Sequence, residues 1–344
     1  MEKEKTQSKL SHQGYVFYSL TKRHLMVFFK NIPTVIFTLM VPLAVFAVYI
    51  IFLRQLETAS IKQALDGIIK DTNCVLGLES HAAEYKEIVK KVYGIADCWM
   101  VAGVLAVSCI TVSLNANYIV VRDKESLVTR DFISSPIHPN IIVASYFTFN
   151  VIITFLVNFI VYLICLFVLS IYGAYMISIL DFFSILGVLL LSTISASLIT
   201  FFICSFIKSE SVMSPIVAIV SAGVGFLIGA YLPSNFGPKY IGYITTFFPG
   251  TYSVGLLRNY FMATPLSLLS AKLEDYGISG IIDSLSDQFA LNIDFFGHEI
   301  EPGFMVLVLF IFIVIFLILN LIFSNKNFFH INLKLKKKNK ENKQ

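Results

Sequence analysis

The sequence predicts an all-α integral membrane protein with six transmembrane helices, an interfacial helix before the first and a re-entrant hairpin before the last. Two properties of the chain support this fold class. Apolar residues make up 56% of its 344 residues and charged residues only 14%, against roughly 25% charged residues in an average soluble domain. The apolar residues also occur in blocks of about 20, the length that a helix needs to cross the hydrocarbon layer.

The six apolar blocks define a transmembrane domain over residues 32–324. The first block contains Pro33 and Pro42, which a membrane helix tolerates because neighbouring helices can satisfy the backbone groups that proline leaves unpaired. Trp99 begins the second block, a position that suits an aromatic side chain at the membrane interface. The predicted spans are residues 32–53, 99–121, 141–169, 182–207, 212–231 and 304–323.

The segment before the first span, residues 1–31, is predicted to be a basic cytoplasmic arm that continues as an amphipathic helix. Residues 7–31 mix leucine, valine and phenylalanine with lysine and arginine, which suits a helix lying in the membrane interface. A partly disordered basic arm is the alternative, and we expect disorder in the first six residues. The segment has no apolar region followed by a small-residue cleavage site, so no signal peptide is predicted.

Residues 240–261 resemble a seventh span, but their composition favours a re-entrant hairpin. Pro249 and Gly250 interrupt the segment midway, and an arginine such as Arg258 costs about 2.5–3.5 kcal/mol at a helix centre. With six spans and a cytoplasmic N-terminus, the inside segments contain 17 Lys and Arg against 7 Asp and Glu, and the outside segments contain 9 against 15. A seventh crossing would place the lysine-rich tail, residues 325–344, outside the cell, against the positive-inside rule. Both termini are therefore predicted to be cytoplasmic.

Two larger extracytoplasmic loops follow from this topology, residues 54–95 and 262–303. The first has helical periodicity in two portions and is predicted to form a small folded cap. Cys74 and Cys98 lie in or beside it. A disulfide between them stays open, because the connectivity of cysteines cannot be read from a sequence.

The residues needed for several function classes are absent from the sequence. No GxxxxGK[ST] motif occurs, so the usual phosphate-binding loop is missing. The six histidines lie outside the predicted spans and form no metal-binding motif, so we interpret them as solvated residues. The middle of each predicted span lacks ionisable residues, which disfavours a proton-coupled carrier and a membrane-embedded enzyme. No catalytic residue, metal site or cofactor is predicted in this chain.

Small and amide side chains inside the predicted spans are interpreted as packing residues. Gly225 and Gly229 have GxxxG spacing, which allows close packing of membrane helices. Packing within the chain is the first interpretation, and a contact in a dimer is the second. Hydrogen bonding between helices is the interpretation of the asparagines, which are Asn115, Asn117, Asn150 and Asn158.

Two segments resemble those of a known family. The connection at residues 122–140 reads RDKESLVTRDFISSPIHPN, and the segment FFPGTYSVGLLRNYF precedes the last span. In the first, a cluster of both charge signs is followed by Asp-Phe and then Ser-Pro-Ile; in the second, a proline is followed by an arginine. Both are similar to the corresponding segments of bacterial ABC type-2 exporter permeases, although that family often has glycine where this chain has Ser126.

The resemblance implies a permease subunit that has no ATPase of its own. It would pair with a second permease subunit, identical or different, and with two copies of a cytoplasmic ATP-binding subunit that bind ATP and Mg²⁺. Residues 122–140 would form a coupling helix that docks on this subunit. Mixed charged and apolar side chains suit a docking surface, whereas a solvated loop is the alternative. The candidate coupling residues are Asp123, Lys124, Glu125, Arg130, Asp131, Phe132 and Pro136.

The resemblance also implies that the hairpin at residues 240–261 is part of an outer gate. The candidate gate residues are Phe248, Pro249, Tyr252 and Arg258. A lipid-anchored hairpin whose Arg258 side chain reaches the headgroups is the alternative.

The expected function is ATP-driven export of hydrophobic or amphipathic cargo from a bacterial cell across its plasma membrane by alternating access. The second and fifth spans are expected to line a path at the interface of two permease subunits. Their apolar and aromatic character suits a drug, a lipid or a membrane-active peptide. Membrane lipid and protein partners are expected, and no nucleic acid. A non-transporting sensor or immunity subunit associated with an ATPase is the alternative, with residues 54–95 as its receptor surface.

Overall fold

The computed structural model describes residues 2–54, 82–135, 137–171, 177–231, 239–274, 291, 293–295 and 298–324. Six helices in these ranges are long and apolar enough to cross a membrane, which confirms the predicted all-α membrane fold with six spans. The candidate spans are Ile32–Phe52, Glu87–Glu125, Pro139–Ile171, Ile179–Phe206, Glu210–Leu227 and Pro302–Phe323.

Eleven helices and one short pair of antiparallel strands make up the described part of the chain. A π-helical turn extends α2 over Tyr49–Leu53, and another extends α11 over Asn320–Ser324. The elements are α1 (Glu2–Lys30), α2 (Ile32–Val48), α3 (Ala82–Ala116), α4 (Tyr118–Glu125), α5 (Val128–Ser134), α6 (Pro139–Ile171), α7 (Ile179–Phe206), α8 (Glu210–Leu227), α9 (Lys239–Thr245), α10 (Pro249–Glu274), β1 (Ile293–Phe295), β2 (His298–Ile300) and α11 (Pro302–Leu319).

The N-terminal helix α1 begins at Glu2, so the expected disorder of the first six residues is wrong. One face of α1 packs against α6. Leu20, His24 and Phe28 lie on this face and are buried, because residues four apart share one side of a helix. Tyr15 and Tyr18 point away from the bundle and are exposed. The helix therefore has one protein-bound face and one free face.

Helix α3 contains the second span and starts at Ala82 rather than near Trp99. Residues 82–95, predicted to belong to an extracytoplasmic loop, are therefore part of this long helix. Ile88, Val92 and Ile95 explain the extension, since they repeat at helical spacing and are all buried. The rest of the predicted cap, residues 55–81, lies outside the described residues.

The possible disulfide of Cys98 is not formed in the structure. Cys98 is a free, fully buried thiol on α3, and Cys74 lies outside the described residues. Burial suits a free cysteine, which packs like a small apolar side chain.

Helix α3 is the centre of the bundle and packs against α2, α6, α7, α8 and α10. About 94% of its most apolar stretch is buried inside the protein, against only 17% for α8 and 11% for α11. The outer helices thus turn apolar faces away from the bundle, as a membrane-embedded protein requires.

Contacts between the spans show which connections share an end of the bundle. At one end, Arg23 of α1 pairs with Asp123 of α4, and Lys124 bonds to Ser205 at the end of α7; we call this the α4 end. At the other end, Arg54 after the first span pairs with Asp97 of α3. The segments predicted to be cytoplasmic in this part of the chain therefore meet at the α4 end.

The predicted hairpin corresponds to α9 and α10, which the turn at residues 246–248 separates. Its second helix continues to Glu274, beyond the predicted limit at residue 261, so part of the expected loop 262–303 is helical. Helix α10 packs against α3, α7 and α11 and is not one of the six candidate spans. That the hairpin re-enters the membrane stays a prediction.

Candidate functional site

The predicted coupling segment folds as two short helices, α4 and α5, that meet at Ser126 and Leu127. Leu127 has a φ of 64°, in the left-handed region, where a residue with a side chain costs roughly 1–2 kcal/mol. Its side chain is nevertheless 46% exposed. An apolar side chain thus projects from a strained corner at the α4 end of the bundle.

Asp123 ties the start of this segment to two other helices. It is 5% exposed and accepts hydrogen bonds from Arg23 Nη1 at 2.6 Å and Arg23 Nη2 at 3.2 Å. Tyr146 Oη of α6 donates to the same carboxylate at 2.6 Å. A buried carboxylate needs such partners to offset its lost hydration.

Lys124 and Glu125 tie the segment to the ends of two further helices. Lys124 Nζ donates to the carbonyl oxygens of Cys204 at 3.0 Å and Ser205 at 2.9 Å, in the last turn of α7. Glu125 Oε2 accepts from the backbone N–H of Glu210 at 2.8 Å, the first residue of α8. Each charge meets the helix end that it stabilises, a cation at the C-terminus and an anion at the N-terminus.

These contacts give Asp123 and Lys124 partners inside the chain. Asp123 is buried and Lys124 is half-buried, so both hold the segment against the bundle, and their contact with a partner subunit stays a prediction. Together with Glu125, these two residues connect α4 to α1, α6, α7 and α8.

Two of the other candidate coupling residues, Asp131 and Phe132, lie on α5. Asp131 is exposed and Phe132 is half-buried, with Arg23 Cζ 5.1 Å from the centre of its ring. Arg130 belongs to α5, but its side chain and the whole of Pro136 lie outside the described residues. Leu127 and Asp131 are both exposed, and we call the surface that they form the α4–α5 surface.

His24 on α1 is buried, so its interpretation as a solvated residue is wrong, whereas His12, His138 and His298 are exposed as expected. The His24 ring stacks on Tyr146 at 4.0 Å, with Nδ1 3.1 Å from Arg23 Nη1 and Nε2 3.3 Å from Ser145 Oγ. Arginine is only a donor, so Nδ1 accepts and Nε2–H donates to Ser145. Burial, with the nearby Arg23 charge, lowers the pKa of His24 to about 3.

Acid should therefore destabilise the fold through His24. Below pH 6.5, the ordinary pKa of histidine, the unfolded chain binds a proton at His24 that the folded protein excludes. The contribution of His24 to the free energy of unfolding is therefore complete above that pH. It should fall by about 1.4 kcal/mol per pH unit below 6.5. The free energy of unfolding of His24→Gln, measured in detergent from pH 7 to 4.5, should depend less steeply on pH than that of the wild type, by the equivalent of one proton. His12→Gln, an exposed histidine on the same helix, should leave the slope unchanged; a reduced slope there would contradict the assignment.

Arg258 forms a second cluster at the end of the bundle opposite α4. It is 3% exposed, and its Nη2 donates to the carbonyl oxygens of Gly229 at 2.8 Å and Ala230 at 3.1 Å. Its Cζ lies 4.2 Å from the centre of the Trp99 ring, within cation–π range. Arg258 does not reach the lipid headgroups, because its side chain is buried in protein. Trp99 is buried as well, and its depth at the membrane interface stays a prediction.

Gly225 and Gly229 end α8 rather than forming a helix-packing face. Gly229 lies beyond the last helical residue, with a φ of 68°, and the N–H of Ala230 bonds to the Gly225 carbonyl at 2.8 Å, as in a glycine-terminated helix. A Cβ on Gly225 would meet the ring of Tyr231 at 2.1 Å. The GxxxG interpretation within the chain is therefore wrong, and the dimer contact stays a prediction.

The remaining gate candidates shape the turn between α9 and α10. Pro249 is the first residue of α10, and Phe248 before it is 37% exposed. Tyr252 is buried, and its hydroxyl donates to the Thr246 carbonyl at 2.8 Å. These three residues hold the turn, whereas Arg258 connects the second helix of the hairpin to the end of α8.

Gly103 allows α3 to approach the turn that Arg258 binds. A Cβ at this position would lie 2.6 Å from the Ala230 carbonyl oxygen. Gly103→Ala should thus lower the stability by about 1–3 kcal/mol through overpacking. Gly223→Ala is the matched control on α8, because its Cβ would meet nothing, and it should raise the stability by up to about 1 kcal/mol. Thermal unfolding in detergent measures both, and equal shifts would contradict the close approach.

One comparison with known proteins decides the family. The model of the ABC-2 type transporter family matches residues 15–262. The match runs from α1 into α10 and includes the α4–α5 segment and Arg258. The chain belongs to the ABC-2 type transporter family. No curated protein matches the chain. It is therefore a multi-pass membrane permease, the transport subunit of an ABC transporter, in a family whose members generally pair with a cytoplasmic ATP-binding subunit.

Two of the four asparagines predicted to bond between helices of this permease do so, and the other two bond within their own helix. Asn150 Nδ2 donates to the Ser113 carbonyl at 2.8 Å, joining α6 to α3. Asn117, between α3 and α4, donates to Thr200 Oγ1 of α7 at 3.1 Å. Asn115 and Asn158 each bond to a carbonyl of their own helix.

Sequence reasoning missed several side chains on which the two clusters of the permease depend. Arg23 is one of several basic residues on α1, and nothing local pairs it with Asp123 a hundred positions later. Tyr146 and Trp99 are aromatic residues among many in apolar blocks. The only local signal was the position of His24, a polar residue four positions from each of the apolar residues Leu20 and Phe28. The described residues contain no group of three or more metal-binding side chains.

Proposed function

We propose that this ABC-2 permease is the membrane subunit of a bacterial ABC exporter and docks on its ATP-binding subunit through the α4–α5 surface. One observation carries the proposal. Leu127 and Asp131 are exposed on a segment that internal bonds of Asp123, Lys124 and Glu125 tie to four other helices. An exposed apolar residue beside a charge suits a docking surface.

The anchoring suits the transmission of a push from the partner into the membrane. Asp123 connects the segment to α1 and α6, Lys124 to α7 and Glu125 to α8. Packed helices move as rigid bodies rather than deforming, so a displacement of α4–α5 would shift all four together. The break between α3 and α4 at Asn117 separates this moving end from the buried centre of α3.

A hydrophobic or amphipathic cargo fits the apolar outer faces of the helices. Ile219 and Phe226 of α8 are 73% and 58% exposed, and Phe37 of α2 is 67% exposed. Such faces suit contact with lipid, with a second permease subunit, identical or different, and with a drug, lipid or membrane-active peptide between them. Two ATP-binding subunits would bind ATP and Mg²⁺, and this chain would need no cofactor.

Docking is tested by substitutions on the α4–α5 surface. Leu127→Asn removes the apolar contact while asparagine tolerates the left-handed backbone, and Asp131→Lys reverses a charge. Each should weaken co-purification of the ATP-binding subunit and its transport-dependent ATP hydrolysis by about tenfold, the effect of losing one anchor residue. Leu268→Asn is the control, since Leu268 is 42% exposed at the opposite end of the bundle. Unchanged ATP hydrolysis in the two test variants would contradict the docking assignment.

Sidedness is tested separately. The charge distribution favours both termini in the cytoplasm, and the contacts of α1 with α4 place the N-terminal helix at the α4 end. A C-terminal tag should react with a membrane-impermeant reagent only after cells are permeabilised. Reaction in intact cells would overturn the orientation and with it the docking surface.

A further inference from the structure

A cavity of about 300 Å³ lies at the α4 end of the bundle, beside the α4–α5 surface but separate from it. Its walls come from the break between α1 and α2, the adjoining parts of α3 and α4, and the first residue of α8. The shape of this cavity depends neither on the direction of transport nor on the nature of the cargo. The hydrogen bonds described above for Asp123, Lys124 and Glu125 do not use the side chains that line it.

Two opposite charges lie side by side at the rim of the cavity. Arg122 and Glu210 both line it, and their side chains are 59% and 47% exposed. Arg122 Nε and Glu210 Oε1 are 3.8 Å apart, which is too long for a hydrogen bond. Asn31 also lines the cavity, and although it is the N-cap residue of α2, its side chain makes no capping bond. The rim therefore has polar groups with bonding capacity to spare.

The floor and mouth of the cavity are apolar and lead to the outer face of α2. Phe28, which is buried, and Phe37, which is 67% exposed, both line it. Ile36 and Met40 continue the exposed apolar surface along α2, a helix of the first membrane span. A ligand with a charged head and an apolar tail can place the head at the rim and the tail along this face.

We propose that this cavity binds the headgroup of a zwitterionic aminophospholipid. The phosphate would bind Arg122, whose planar guanidinium matches phosphate oxygens, and the ammonium would donate to Glu210. The volume is at the lower end of the range for ligand pockets and suits a headgroup, with the acyl chains outside along α2. An anionic lipid without an amine would place no partner beside Glu210 and is disfavoured by that charge.

The test is lipid retention by the purified full-length protein, measured by native mass spectrometry with phosphatidylethanolamine and phosphatidylglycerol. The wild type should retain the aminophospholipid about tenfold better than the anionic lipid. Arg122→Gln should weaken retention of the aminophospholipid by about tenfold, and Glu210→Gln should abolish the preference. Lys208→Gln is the matched control, because Lys208 is an exposed cation close to Glu210 in sequence but does not line the cavity.

Three outcomes would overturn the proposal. Equal retention of both lipids by the wild type would indicate surrounding lipid only, and a preference for phosphatidylglycerol would indicate an anionic ligand. Unchanged retention in Arg122→Gln would exclude the phosphate contact. Both rim residues are exposed, so the variants should unfold at the wild-type temperature in lipid-free detergent. If Arg122→Gln fails to fold, Glu210→Gln decides alone: a lost preference supports the site, and a retained one contradicts it.

Discussion

Replacing Asp123 with alanine should lower the free energy of unfolding by about 3 kcal/mol, the lower end of the cost of breaking a buried ion pair. The lower end applies because the partner Arg23 is 31% exposed and can recover some hydration. Tyr146 Oη would also lose its acceptor inside the protein, which adds to the cost. Chemical unfolding of the purified permease in detergent, followed by circular dichroism, measures this change.

The same substitution should disconnect α4 from α1 and α6, so we expect it to reduce ATP-driven transport beyond its effect on stability. For the stability measurement, Asp131→Ala is the matched control, because Asp131 is an exposed aspartate on the same segment. It should change the stability by less than about 0.5 kcal/mol. Arg23→Ala combined with Asp123→Ala should cost less than the sum of the two single changes, because they share one contact. Additive losses of stability would show that Arg23 and Asp123 do not stabilise the protein through a shared contact.

Replacing Arg258 with leucine should lower the stability by about 3 kcal/mol and stop transport. The substitution removes two charge-assisted hydrogen bonds to the turn after α8, each worth about 1.5–3 kcal/mol. It also removes the stacking on Trp99. Relief of the buried charge offsets part of the loss. Binding of the ATP-binding subunit should persist, since it is proposed to occur at the opposite end of the bundle.

Arg258→Lys tests whether stability and transport depend on the positive charge of Arg258 or on its planar guanidinium group. Lysine keeps the charge but has no planar guanidinium to stack on Trp99 while bonding to both carbonyls, so it should restore only part of the stability and transport. Arg122→Lys is the control for the exchange itself, because Arg122 is 59% exposed, and it should change the stability by less than about 0.5 kcal/mol. Wild-type stability in Arg258→Leu would mean that Arg258 does not hold α10 to the turn. Full transport in that variant would show that the hairpin is not part of the gate.

Two differences between the structure and the prediction from the sequence have a common cause. The polar loop expected at residues 54–95 ends at Ala82 because Ile88, Val92 and Ile95 pack against the protein and extend α3. The GxxxG pattern on α8 did not act in helix packing because Gly229 adopts a left-handed backbone and ends the helix. In each case a local pattern had two physical meanings, and the neighbouring helices selected one of them.

The sequence by itself determined the six spans, because a membrane helix satisfies its own backbone hydrogen bonds and needs only a long enough apolar stretch. It also located the α4–α5 segment and the hairpin through charged and proline-containing interruptions between those stretches. Only the tertiary structure decided that Asp123 is an internal anchor, that His24 is buried and that Arg258 stacks on Trp99. These pairings depend on which faces distant helices turn towards each other, and no local composition encodes that choice.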